Sequence, residues 1–139
     1  TQVAGLGDCF YRESDRSIVC ISYLGFQVID ATTGDLAESY VFLEEDLDGI
    51  GRFDYIYAPN LQGDYFTFLA EMKTDWYGIG RVGIFDLKAR KLRWTEEIIP
   101  LEERKATGNH LVTPQPLYMS GDKLYIRDLK HNLHIFQRE

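Results

Sequence analysis

The sequence predicts an all-β fold of antiparallel strands in repeated four-stranded units, and three observations carry that prediction. Short strand-like runs alternate with turn-forming residues along nearly the whole chain. Aromatic residues make up 14% of the sequence, a content that suits pleated surfaces. Parts of the sequence also repeat, and in all-β chains repetition means a stack of similar sheets. A β-sandwich is the alternative arrangement of the same strands.

Taken in order, the runs CFYRE, SIVCIS, FQVIDA, SYVFL, FDYIYA, YFTFLAEM, RVGIFDL, LRWTEEI, KLYIRDL and LHIFQRE read as strands. Between them lie ESDR, YLG, ATTGD, LQGD, SGD and LKHN, which supply Gly, Asn, Asp or Ser where a tight turn needs them. Neighbouring strands therefore pair antiparallel. One helix is expected at PLEERKATG: Pro100 suits the first turn, Glu102 and Glu103 face the positive end of the dipole, and Gly108 stops it. A charged loop is the alternative there.

Asp15–Thr32 aligns without a gap with Asp122–Glu139, each reading as turn, strand, turn, strand. A second alignment sets FQVIDATTGDLAE against VGIFDLKARKLRW, matching Asp30 to Asp86 and Leu36 to Leu92. The chain thus divides into three units, approximately 9–43, 53–99 and 113–139. Val28, Ile29, Asp30, Thr33 and Gly34 in one unit, with Asp86 and Trp94 in the next, resemble the blade repeat of quinoprotein-like β-propellers. Ala89 and Arg90 replace the repeat's Thr-Gly in the second copy, and Glu38 stands where the first would carry Trp. The resemblance implies stacked blades. Because three blades are too few to close a ring, three arrangements remain open: part of a larger propeller, pairing with a second copy, or a different sheet arrangement.

The resemblance does not extend to chemistry. The cofactor enzymes of that group carry adjacent cysteines, whereas here Cys9 and Cys20 are far apart, and there is no haem-attachment motif. Nor is there a Walker loop, a zinc spacing or a Ser-His-Asp order. His110, His131 and His134 read as surface or turn residues. No catalytic role is expected.

Cys9 and Cys20 flank YRESDRS and come opposite each other in a hairpin. A two-residue turn at Ser14 and Asp15 would make them a wide, hydrogen-bonded pair, which predicts two unbridged thiols. The sequence DLDGIGRFD, Asp46 to Asp54, resembles the calcium loops of integrin-type propeller repeats, with Asp46, Asp48 and Asp54 in register. Ile50 occupies the third ligand position, so any calcium site here would be weak unless Glu44 or Glu45 folds back. A solvated acidic turn is the plainer expectation.

The loop MKTDWYGIGR is longer than its counterpart SYLG and places Trp76 and Tyr77 beside Gly78 and Gly80. Aromatic residues on such a loop act as binding anchors or fold back over the core. With 15 basic and 22 acidic residues the net charge is −7, which repels phosphate backbones and favours a basic protein partner over nucleic acid. No apolar run reaches the roughly 18 residues of a membrane span.

The expectation is a non-catalytic, protein-binding, cytoplasmic module with Trp76, Tyr77, Glu44 and Glu45 at its contact surface. An immunity protein neutralising a basic toxin fits this description. The alternatives are a scaffold segment or subunit of a larger quinoprotein-like propeller, a homodimer, and a weak calcium-binding module. Thr1 at the start is compatible with loss of an initiator Met, with leader cleavage or with excision from a longer chain.

Overall fold

The computed structural model describes residues 7–73, 77–112 and 117–137. The chain is all-β, with antiparallel strands in three four-stranded sheets, none of them closed into a barrel. The first sheet holds β1 (Asp8–Arg12), β2 (Ser17–Ile21), β3 (Gly25–Asp30) and β4 (Leu36–Val41), in that order. The second holds β5 (Phe53–Gln62), β6 (Tyr65–Met72), β7 (Arg81–Asp86) and β8 (Lys91–Glu97). The third holds β9 (Leu111–Val112), β10 (Tyr118–Ser120), β11 (Lys123–Asp128) and β12 (Leu133–Gln137). The expected helix is present as α1 (Leu101–Thr107), closed by Gly108 at φ 71°, whose N–H donates to the Arg104 carbonyl. No helix among the described residues is long and apolar enough to cross a membrane.

Alternation along each strand decides how the sheets stack. Phe66, Phe68 and Met72 of β6, with Phe85 of β7, meet Val19, Ile21, Phe26 and Val28 of the first sheet in one core. The intervening Leu69 and Val82 meet Leu111, Leu117, Leu124 and Ile126 of the third sheet in a second core. Gly83 lies opposite Phe68, where an added Cβ would come within 2.6 Å of the ring, so the glycine makes the space that the phenyl fills. The middle sheet is covered on both faces and the flanking sheets on one.

The repeat aspartates are turn builders. Asp30 Oδ1 accepts the N–H groups of Thr32 and Thr33, and Asp86 Oδ1 accepts those of Lys88 and Ala89, so one carboxylate shapes the turn out of each third strand. The left-handed residue that follows is Gly34 in the first copy and Arg90, at φ 56°, in the second. This explains how the second copy tolerates the missing glycine: the fold needs the conformation and arginine adopts it at a modest cost. Asp128 makes a similar turn between β11 and β12, bonded to Asn132 and to His134.

One expectation is overturned. Cys9 and Cys20 are joined in a disulfide. They do face each other, but the turn is the four-residue Glu13–Arg16, with Arg12 and Ser17 as the last pair. Enlarging the turn by one residue on each side reverses the alternation of wide and narrow pairs. The two Cα atoms stand 4.0 Å apart, the narrow kind.

Candidate functional site

Residues Tyr77 to Gly80, which lead into β7, are organised by one buried arginine. Arg104 of α1 is 1% exposed and points inward. Its Nε donates to the Tyr77 carbonyl at 2.9 Å, and its Nη1 donates to the Ile99 carbonyl and lies 3.7 Å from Glu97 Oε1. Glu97 also accepts the Leu101 N–H and contacts Arg81 of β7. A guanidinium supplies five donors in a fixed plane, which lets one side chain tie a loop, a strand end and a helix together. Gly80 is required beneath it, because a Cβ there would overlap the guanidinium.

Around this arginine, Tyr77, Gly78, Gly108, Asn109 and His110 line a shallow depression of about 260 Å³. Tyr77 is 50% exposed at its rim. His110 Nδ1 lies 3.1 Å from the Leu111 carbonyl, and buried Asn109 accepts the Lys130 N–H. The lining combines the Tyr77 ring with the Arg104, Asn109 and His110 side chains and the backbone at Gly78 and Gly108. Trp76 lies outside the described residues.

The acidic stretch folds as a single 3-10 turn, Glu44–Leu47, whose Leu47 is buried in the first core. Asp46 Oδ2 accepts the Tyr40 hydroxyl at 2.6 Å and the Leu43 N–H at 2.8 Å, the return half of a capping box. Burial, then the bond to Asp46, pushes the Tyr40 phenol up to about 12. Arg90 lies over the Tyr40 ring at 4.3 Å and pairs with Glu38 at 2.8 Å, joining the middle sheet to the first.

Glu44 pairs with Arg52 at 3.0 Å, Glu45 is exposed, Asp48 is the left-handed residue that ends the turn, and Asp54 lies on β5. The structure does not wrap Asp46, Asp48 and Asp54 around one point. Among the described residues no three His, Cys, Asp or Glu side chains gather as a metal site.

The sequence reading missed Arg104, which stands in the charged PLEERKATG stretch with no role of its own assigned to it. The signal was indirect: Gly80 marks the close approach of this guanidinium, and Gly78, at φ 84°, that of the His110 side chain. It also missed the outward faces of the end sheets. Tyr11, Ile18, Ile29 and Leu36 are cross-strand neighbours in one row on the first sheet, with Tyr11 62% and Leu36 51% exposed. Tyr118, Tyr125 and Ile135 form a row on the third, with Tyr118 59% and Ile135 53% exposed.

Compared with protein-family models and with curated proteins, the sequence matches none.

Proposed function

We propose that the chain is a non-catalytic, protein-binding scaffold: a three-sheet portion of a larger propeller-like stack, whose end faces are its binding surfaces. The observation that carries this reading is the pair of outward rows. The middle sheet is covered on both sides by sheets of its own kind, and each end sheet turns apolar residues to solvent on the side where a further sheet would stack. A disulfide persists in oxidising compartments, so the cytoplasmic expectation is not carried into this reading.

Sedimentation of the purified chain tests it. Concentration-dependent association is expected, and Leu36→Glu combined with Ile135→Glu should suppress it without lowering Tm. A chain that stays monomeric at every concentration, and is unchanged by those substitutions, overturns it.

A second reading is supported by Tyr77 at the rim of the Arg104 depression and by the exposed Glu45. In it, Trp76, Tyr77, Glu44 and Glu45 engage a basic protein, in the manner of an immunity protein. Trp76→Ala with Tyr77→Ala should then abolish capture of that partner with Tm unchanged, and unfolding would instead make the loop part of the core. Weak calcium binding at Asp46–Asp54 predicts a Tm rise with calcium that Asp48→Ala removes.

A further inference from the structure

The third sheet has four strands yet is only three strands wide. β12 pairs with Lys123–Arg127 along one edge of β11, so β9, bonded at Arg127 and Asp128, and β10, bonded at Lys123–Tyr125, share the opposite edge. Together they take the place of a first strand beside β11. β11 and β12 are then the second and third strands, which agrees with the alignment of Asp15–Thr32 on Asp122–Glu139. In the other two sheets the third strand, β3 or β7, is covered by a fourth, β4 or β8. Among the described residues nothing pairs with the far edge of β12.

Composition and unbroken length together set that edge apart, since the other edge of the same sheet is equally poor in charge but is shared between the short β9 and β10. Edge strands are ordinarily protected by charges, proline or bulges. β1 carries Asp8 and Arg12 and is bridged to β2. β4, β5 and β8 each carry charged residues and a register shift against their neighbours, and β5 has Pro59 as well. β12 is LHIFQ, with no acidic, Lys, Arg or Pro residue and an unbroken register on β11.

Its backbone is also presented for pairing. The Asp128 N–H donates to the Asn132 carbonyl, so the hydrogen-bonded pairs toward β11 continue at His134 and Phe136. The N–H and C=O groups of Leu133, Ile135 and Gln137 therefore point away from β11, along the open edge.

We infer that β12 is an acceptor edge for an extended segment of a partner polypeptide, which adds antiparallel to Leu133–Gln137 as the fourth strand of the third sheet. Its main chain would bond to Leu133, Ile135 and Gln137. Its alternate side chains would be apolar, one row extending that of Phe136, which rests on Trp94 at 5.2 Å, and the other that of Ile135. This inference is carried by the edge, whereas the scaffold reading is carried by the faces.

The test uses the full chain extended after Glu139 by an Asn-Gly turn and a copy of Lys91–Glu97, the fourth strand of the middle sheet, so that the probe is present at high effective concentration. Amide hydrogen exchange is read in the extended and original chains. The amides of Leu133, Ile135 and Gln137 are expected to exchange at least about tenfold more slowly in the extended chain. Ile135→Pro, which removes one outward N–H, should cancel that protection while the Val19 and Phe68 amides stay slow. No gain in protection overturns the inference. Protection already present in the original chain, together with a dimer mass, also overturns it, because the occupant is then the β12 of a second copy. Face-to-face association seen by sedimentation leaves these three amides unaffected, so the two proposals fail separately.

Discussion

The middle sheet and the first sheet share one turn chemistry and put it to different energetic use. Asp30 and Asp86 each hold two following N–H groups, but Asp30 is exposed while Asp86 is 4% exposed and also accepts Arg93 Nε at 2.9 Å. Burial by itself would push the Asp86 carboxyl up. The Ala89 amide, Arg93 and the Lys88 amide outweigh it and hold the group below its ordinary range. The same contrast runs through the side chains: Phe85 has no exposed surface, whereas Leu36 is half exposed. Local sequence pattern makes the turn and the strand, and position in the stack decides how much energy they carry.

The largest expected effect tests that contrast directly. Phe85→Ala should cost about 3–5 kcal/mol, because it empties space among Phe42, Phe66 and the rest of the first core. Leu36→Ala, on the outward face, should stay within about 0.5 kcal/mol. Urea unfolding of both variants checks this, and comparable losses would break the distinction between covered and uncovered faces.

Next in size is the turn itself. Asp86→Ala should cost about 2–3 kcal/mol, since the charge-assisted bonds of a buried carboxylate to Arg93, Lys88 and Ala89 are lost, against about 0.5–1 kcal/mol for Asp30→Ala. A ratio near one would mean that the turn geometry, and not burial, sets the energy.

Acid and alkali sharpen the comparison. The folded pKa of Asp86 is depressed, so its contribution is complete above about pH 4 and disappears as the pH falls further. Tyr40 shows the opposite sign. Its contribution is complete below about pH 10 and is lost as the pH rises through about 12. Asp86→Asn should flatten the acid limb of the stability curve, and Tyr40→Phe the alkaline limb.

The smallest effect is expected at Arg90→Gly. Relief of its left-handed backbone, about 1 kcal/mol, is offset by loss of the exposed Glu38 pair and the cation-π contact, together also about 1 kcal/mol. Net stability should therefore hardly change, as Tm will show.

Much of the fold was legible because it rests on local patterns. Period-two alternation in SIVCIS and YFTFLAEM, turn residues at LQGD and SGD, and the Pro100–Gly108 helix signals all describe the nearest few residues, and all were found. The short β9 and β10 were not expected, because strands of two and three residues are too short to show a period. The disulfide was misjudged through the size of one turn. The acidic loop is the clearest lesson: Asp46, Asp48 and Asp54 carry the spacing of a metal loop, but buried Leu47 pulls the segment onto the core and Tyr40 claims the Asp46 carboxylate.

By itself, the sequence determined the strand class, the antiparallel neighbour pairing, the repeat and the helix after Pro100, because propensity, alternation and turn chemistry act between residues close along the chain. Only the tertiary structure decided which face of each sheet is covered, that Arg104 fastens Tyr77, and that β12, which has no acidic, Lys, Arg or Pro residue, is left unpaired on one side by the described residues. Those outcomes depend on which distant segments meet, and nothing in a local pattern specifies the far side of a contact.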